Sequence, residues 1–182
     1  ICAPSTPFTR EDAARVVRLA ETEFPSLDIA FHEQCFAVEG HFAGSDQTRL
    51  AALLECANDP AFDAIWFARG GYGAVRIAEE VMARLNASAC QKCFLGYSDG
   101  GTLLAALYAT GAGRPVHGPM PSDIRREGGE EAVRRSLAYL AGDLSGLEPS
   151  LGESPAVAFN LMTLAMICGT PLMPDLSGHV VM

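Results

Sequence analysis

The order of apolar and polar positions alternates short apolar runs with longer amphipathic segments, a pattern typical of a parallel sheet flanked by helices. The apolar runs predict strands at 1–3, 27–31, 64–68, 93–95 and 115–117. The run at 64–68 is almost wholly apolar, which favours a central strand covered on both faces.

Apolar residues at helical spacing occupy the segments between these runs. Thr9 and Ser45 each precede such a segment with a hydroxyl that can cap a helix N-terminus. Further helices are predicted at 75–85, 103–108 and 130–140. The fold class that follows is α/β, with a parallel sheet.

The distribution of Gly, Ser and Pro along the chain predicts its domain organisation. We expect an α/β domain over residues 1–142, a linker rich in Gly, Ser and Pro over 143–155, and the incomplete start of another domain over 156–182. The sequence opens without Met and closes on the apolar run from Gly178 to Met182, so we expect a fragment of a longer protein.

Composition and charge exclude several classes of protein. Of 182 residues, 49% are hydrophobic and 19% are charged, which excludes a disordered tail, a collagen-like fibre and a coiled coil. The formal net charge of −9 argues against partners such as nucleic acid or an anionic membrane, since binding either one requires Lys and Arg in excess. The sequence shows no signal-peptide pattern and no run of about 18 apolar residues, so we expect a cytoplasmic protein.

Six cysteines are scattered along the chain, and we expect them to be reduced thiols. Cys90 and Cys93 form the one C-x-x-C pair, whereas a structural zinc site usually needs four ligands. Because Cys93 enters an apolar run, metal or redox chemistry at this pair is the least favoured hypothesis. We therefore expect no metal site.

Two loops that connect a predicted strand to a predicted helix contain the candidate chemistry, because crevices in α/β sheets open at the carboxyl ends of strands. The first loop is Arg69-Gly70-Gly71-Tyr72-Gly73. Its glycines let backbone N–H groups approach a phosphate, a carboxylate or an oxyanion. It matches neither a P-loop nor G-x-G-x-x-G. The alternative is a tight turn that needs glycine for its geometry alone.

The second loop, Gly96-Tyr97-Ser98-Asp99-Gly100, fits G-x-S-x-G between a strand and a helix. In that context a sharp turn presents the serine hydroxyl, and the N–H of the next residue faces an oxyanion. The alternative is that Ser98 caps the helix. A serine nucleophile also needs a general base, and no histidine of the sequence is convincing in that role. His117 ends the last predicted strand, and the alternative is that it belongs to the turn His117-Gly118-Pro119.

Taken in order, these motifs resemble the serine LD-carboxypeptidase family, which includes muramoyl-tetrapeptide carboxypeptidases and microcin-immunity peptidases. Two departures stand out: Gly100-Gly101-Thr102 replaces the Ile-Thr that follows Ser-Asp in many members, and Ala158-Phe159 replaces Gly-Gly. Besides the two loops, the matching segments are Ala3-Pro4-Ser5, Gly44-Ser45-Asp46 with Arg49, His117-Gly118-Pro119, Asn160-Leu161, Gly169-Thr170-Pro171 and Pro174-Asp175-Leu176.

The resemblance implies a flavodoxin-like N-terminal α/β sandwich followed by a β-rich C-terminal domain. It implies that Ser98 is the nucleophile and that the N–H groups of Asp99 and Gly71 form the oxyanion hole. The Glu and His of the triad are expected beyond Met182, and no cofactor is implied.

The resemblance also implies a substrate site made by Gly70, Tyr97, His117 and Asn160. Arg69, beside the glycine turn, is our candidate partner for the substrate carboxylate, because a guanidinium binds a carboxylate through two hydrogen bonds. A structural ion pair is the alternative for Arg69.

The implied activity is hydrolysis of the bond to a C-terminal D-amino acid, such as D-Ala of a peptidoglycan tetrapeptide during peptidoglycan recycling. The implied partner is a small peptide substrate, and the implied oligomer is a homodimer. Two alternatives are an immunity-type peptidase that cleaves a peptidyl-nucleotide, and an inactive α/β module that only binds a ligand.

Overall fold

A sheet of three parallel strands forms the centre of the computed structural model, which describes residues 1–151 and 154–182. The strands are β1 (Ala64–Trp66), β2 (Cys93–Gly96) and β3 (Arg114–His117), and β2 lies in the middle. Both pairs are parallel, and their register places Gly96 beside His117. The α/β class with a parallel sheet is therefore confirmed.

Of the two other predicted strands, one is reduced to a single bridge and the other is absent. The run at 1–3 is reduced to one bridge, in which Cys2 pairs in parallel with Phe67, just beyond β1. The predicted strand at 27–31 is wrong, because that segment is irregular. It lies beside Ile1, whose amino group donates to the carbonyl of Ala30 and whose carbonyl accepts from His32. Because the segment at 1–3 pairs with Phe67 through one bridge only, it does not form a strand with which 27–31 could pair along its length.

Helices form where the apolar spacing predicts them, and hydroxyl caps begin the first two. The Thr9 side chain accepts a hydrogen bond from the N–H of Asp12, and the Ser45 side chain accepts one from the N–H of Thr48. The helices of the described residues are α1 (Arg10–Glu23), α2 (Asp46–Asn58), α3 (Ala74–Arg84), α4 (Gly101–Thr110), α5 (Gly129–Leu140) and α6 (Leu161–Ile167).

The core lies in two layers, one on each face of the sheet. Side chains of a strand alternate between its faces. Ile65, Phe67 and Phe94 therefore pack in one layer, with α2, α3 and α4, while Trp66 and Leu95 pack in the other, with α1 and α5. This arrangement is the α/β sandwich that the resemblance implies, and it places the carboxyl ends of all three strands at one edge.

The last part of the chain packs beside β3 and α4. Two short strands, β4 (Ala156–Val157) and β5 (Val180–Val181), pair in parallel, with α6 between them in the sequence. The predicted linker 143–155 includes Gly152 and Glu153, which lie outside the described residues. The domain boundaries at 142 and 156 stay predictions. Among the described residues, no helix is both long enough and apolar enough to span a membrane.

Candidate active site

The turn between β2 and α4 holds Ser98 in an unusual backbone conformation. Its φ is 58°, and Ser98 is the single non-glycine residue with positive φ in the part of the chain that the structure describes. For a residue with a side chain, strain of this kind costs about 1–3 kcal/mol and persists only where the surroundings enforce it. The alternative that Ser98 caps the helix is wrong, because the N-cap of α4 is Gly100 and no side chain bonds there.

Two glycines allow this turn to pack on Phe67. A Cβ at Gly96 would lie 2.7 Å from Cδ2 of Phe67, and a Cβ at Gly100 would lie 2.9 Å from the same atom. Both separations are shorter than carbon atoms tolerate. The glycines of G-x-S-x-G are therefore required here by contact with the core, which fixes the height of Ser98 above the sheet.

The glycine-rich loop after β1 lies directly against Ser98. A Cβ at Gly70 would be 3.0 Å from both Cβ and Oγ of Ser98 and 3.5 Å from the backbone nitrogen of Asp99. Gly71 has a φ of 121°, and a Cβ there would be 2.4 Å from Cγ2 of Thr6. The structure thus brings together the two loops that the sequence singles out.

Two backbone N–H groups beside Ser98 are available to a ligand. The N–H of Gly71 donates no hydrogen bond to any described residue. The N–H of Asp99 lies in the short 3-10 turn Ser98–Gly100, and the first N–H groups of a helical turn have no partner within it. A pair of donors next to a serine hydroxyl can stabilise an oxyanion formed at a carbonyl that the serine attacks.

The side chain of Asp99 is buried behind the turn. Its Oδ2 accepts hydrogen bonds from Oγ of Ser5 at 2.5 Å and from the N–H of Ala74 at 2.9 Å. Burial raises the pKa of the Asp99 carboxyl above its ordinary value, although these two hydrogen bonds and the charge of Arg49 oppose the shift. Its Oδ1 is buried without a hydrogen-bond partner among the described residues.

Arg49 of α2 carries another buried charge, and its side chain is fully enclosed. It donates to the carbonyls of Pro4 at 2.5 Å and Gly73 at 2.9 Å, and it pairs with Asp46. Burial lowers the pKa of Arg49, while the neighbouring Asp46 carboxylate acts in the opposite direction. The sequence offered Arg49 only as a family match and gave no sign that it reaches the glycine-rich loop.

The guanidinium of Arg69 has no acidic partner among the described residues. Its Nη1 donates to the carbonyl of Pro7 at 3.2 Å, and it forms no ion pair with the described residues. Burial lowers the pKa of Arg69, and the positive charge of Arg125 adds to that effect. The alternative of a structural ion pair therefore finds no support in the described residues.

Tyr97 and His117 meet at the ends of β2 and β3, where their ring centroids are 6.0 Å apart. The Tyr97 hydroxyl donates to Oδ1 of Asp123 at 2.7 Å, and burial raises the pKa of this tyrosine. His117 is exposed, yet the surrounding protein displaces enough water to lower its pKa. Both residues line a cavity of about 690 Å³ between β3, α5 and the last part of the chain. Ser98 is not among the residues that line it, so this cavity adjoins the turn rather than containing it.

Asn160 caps α6 and reaches Ser98 only through another residue. Its side-chain oxygen accepts a hydrogen bond from the N–H of Thr163 at 2.7 Å, and Oγ1 of Thr163 donates to the carbonyl of Ser98 at 3.1 Å. Thr163 is buried. Sequence reasoning missed Thr163, because its position i+3 from an N-cap marks it as an ordinary helix residue.

The two cysteines of the C-x-x-C pair differ in burial. Cys93 is buried at the start of β2, as predicted, whereas Cys90 is exposed. Across residues 1–151 and 154–182, no group of three or more His, Cys, Asp and Glu side chains could hold a metal ion.

Comparison with known proteins finds relatives that are named carboxypeptidases. A Streptomyces coelicolor relative, named provisionally as a carboxypeptidase, is 41% identical over 141 residues, which are 72% of this chain and 45% of the relative. A probable murein peptide carboxypeptidase of Bacillus subtilis is 32% identical over 153 residues, which are 78% of this chain and 48% of the relative. The chain spans about half the length of these curated relatives.

Solved structures share the fold. The muramoyltetrapeptide carboxypeptidase of Oxalobacter formigenes has a TM-score of 0.69 at 23% identity, over 96% of this chain and 61% of that one. An MccF-like protein of Bacillus anthracis has a TM-score of 0.77 at 20% identity, over 99% of this chain and 64% of that one. The family model of the LD-carboxypeptidase N-terminal domain matches residues 1–118. The resemblance predicted from the motifs is confirmed, and the chain belongs to the LD-carboxypeptidase family.

Proposed function

We propose that the protein is a serine-type LD-carboxypeptidase that releases a C-terminal D-amino acid, D-Ala of a murein tetrapeptide, in peptidoglycan recycling. The observation that carries the proposal is the turn at Ser98. A strained serine lies between a buried strand and a helix, with Gly70 packed against its hydroxyl. The names of the Bacillus subtilis and Oxalobacter formigenes proteins support the murein peptide as the substrate class.

In the proposed reaction, Oγ of Ser98 attacks the carbonyl carbon of the bond to D-Ala. The carbonyl oxygen becomes an oxyanion, which the N–H groups of Asp99 and Gly71 stabilise. The C–N bond then breaks, D-Ala leaves with a proton on its amine, and water hydrolyses the acyl-enzyme. We assign the general base to the family's Glu and His beyond Met182. His117 lies in the adjoining cavity and is assigned to the substrate site instead.

The proposed substrate site consists of residues near the turn of Ser98 that have an unused hydrogen-bond donor or an aromatic ring face. Arg69 binds the terminal carboxylate of the substrate, since its guanidinium lacks an acidic partner among the described residues. Gly70 allows the substrate close approach to Ser98, while Tyr97 and His117 supply ring faces beside the cavity. Asn160 keeps its amide N–H₂ for the substrate, because its oxygen caps α6. The homodimer stays a prediction from the resemblance, and the cytoplasmic location stays a prediction from the sequence.

Replacing Ser98 with alanine in the full-length protein tests this function. We expect release of D-Ala from a muropeptide tetrapeptide to fall by about 10⁴-fold or more, because removal of a triad nucleophile costs orders of magnitude in kcat. A serine-directed fluorophosphonate should label the wild type and leave Ser98→Ala unlabelled. Retained turnover by Ser98→Ala would overturn the assignment.

The same preparation separates the alternatives. Cleavage of a peptidyl-nucleotide without release of D-Ala would identify an immunity-type peptidase. Absence of both labelling and turnover in the wild type would identify a ligand-binding module.

A further inference from the structure

Two buried side chains of opposite charge hold the same two short segments. Arg49 binds the carbonyls of Pro4 and Gly73. Asp99 binds the residue that follows each of them, through the hydroxyl of Ser5 and the N–H of Ala74. Each segment is therefore held once by a cation and once by an anion, and the two segments are held to each other.

The segment after Cys2 also holds the other end of the glycine-rich loop. Oγ1 of Thr6 donates to the carbonyl of Gly70 at 2.6 Å. The loop from Gly70 to Gly73 is thus bound at its first and last residues, and Ala74 is bound directly beyond it. Gly71, in the middle, keeps its N–H free of the described residues.

Stability alone is a poor explanation for this arrangement. Burying a charge costs several kcal/mol unless hydrogen bonds satisfy it fully. Here Nε of Arg49 and Oδ1 of Asp99 are both buried with no partner among the described residues. A tightly packed apolar pair avoids that cost, but it cannot fix two backbone segments by directed hydrogen bonds.

We propose that Asp99 and Arg49 are positioning residues that fix the Gly70–Gly73 loop against the turn of Ser98. One side chain, Asp99, then connects both parts of the proposed oxyanion hole: its own N–H is one donor, and its carboxylate holds the loop that carries the other, Gly71. This inference rests on the proposed function, and it adds to it the residues that set the separation of the two donors.

Substituting Asp99 in the full-length protein tests the inference, because two variants separate hydrogen bonding from charge. Asp99→Asn keeps an oxygen where Oδ2 accepts from Ser5 and Ala74, whereas Asp99→Ala removes it. For Asp99→Ala we expect kcat for D-Ala release to fall by about 10²-fold, the loss typical of one oxyanion donor, with KM nearly unchanged. Asp99→Asn should stay within about 10-fold of the wild type. Equal losses in the two variants would show that the charge acts, and would overturn the positioning role.

A readout independent of catalysis separates this inference from the proposed function. Asp99→Ala should speed amide hydrogen exchange over the segment from Gly70 to Ala74, and Asp99→Asn should not. If exchange in Asp99→Ala matches the wild type, the inference fails even where Ser98→Ala is inactive. If exchange rises but Ser98→Ala keeps full turnover, the proposed function fails and the structural link stands.

Ser5→Ala keeps the test decisive if Asp99→Ala does not fold. It removes one hydrogen bond of Asp99 and leaves both charges in place, so we expect a smaller loss, about three- to ten-fold in kcat. Ser136→Ala is the matched control, since Ser136 is also a buried serine that donates to a backbone carbonyl, that of Pro119. Amide hydrogen exchange over Gly70–Ala74 in Ser136→Ala should equal that of the wild type. A Ser5→Ala variant that behaves like this control would overturn the inference.

Discussion

Replacing Gly70 with alanine asks whether contact with the glycine-rich loop sets the position of the nucleophile. The new Cβ would lie 3.0 Å from both Cβ and Oγ of Ser98, whereas ordinary contact begins at 3.4 Å. Gly70 is not among the residues with positive φ, so its φ is not one that disfavours alanine. The shortened contacts are therefore those with Ser98, while the backbone nitrogen of Asp99 lies at an ordinary 3.5 Å.

The size of the effect follows from that shortfall of about 0.4 Å. Misplacing a reacting group by about 1 Å costs about 10²-fold in rate, or roughly 2.7 kcal/mol. In proportion, a displacement of about 0.4 Å raises the barrier by roughly 1 kcal/mol and lowers kcat about six-fold. Crowding also lowers the free energy of unfolding by about 1–3 kcal/mol.

The assay is D-Ala release by the full-length protein, with kcat and KM measured separately and thermal unfolding measured in parallel. Gly146→Ala is the control for crowding alone, because its Cβ would lie a similar 3.1 Å from Cγ of Arg135 and meets no atom of Ser98. Since Gly146 also lines the cavity beside Tyr97 and His117, only its kcat is compared. We expect the control to keep the wild-type kcat. If Gly70→Ala also keeps kcat within two-fold of the wild type, the loop does not set the position of Ser98 and the reasoning is refuted.

Two further substitutions test the substrate site. Arg69→Gln should raise KM about 10- to 100-fold with little change in kcat, because a charge-assisted hydrogen bond contributes about 1.5–3 kcal/mol. Substitution of the exposed Arg84 by Gln serves as its control. A wild-type KM in Arg69→Gln would contradict the proposed role of Arg69. Asn160→Ala should lower the free energy of unfolding by about 1 kcal/mol through loss of the α6 cap, whereas Asn160→Asp keeps the capping oxygen and exchanges the amide N–H₂ for a negatively charged oxygen. A raised KM in Asn160→Asp at unchanged thermal stability supports substrate contact, and an unchanged KM leaves Asn160 as a cap alone.

Local patterns were sufficient where the physics is local. The hydroxyls of Thr9 and Ser45 mark helix starts because a cap bonds within three residues of itself. The strand at 27–31 was predicted wrongly because strand formation depends on a partner segment and is not a local property. A strand needs a neighbouring strand whose backbone N–H and C=O groups are free to pair with it. The apolar content of the run carries no information about whether the segment at Ile1 provides such groups.

The sequence by itself determined the parallel α/β class, the serine at the strand–helix turn and the glycines that such a turn requires, since each depends on periodicity or on short-range backbone geometry. Only the tertiary structure decided what surrounds that serine. Gly70 lies 28 positions before Ser98, and Ser5 lies 94 before Asp99, so their contacts arise from chain segments that the sheet brings to one edge. Burial of Arg49 and Asp99 is likewise a property of the packed molecule, because a charged residue in a sequence is by default expected at the surface.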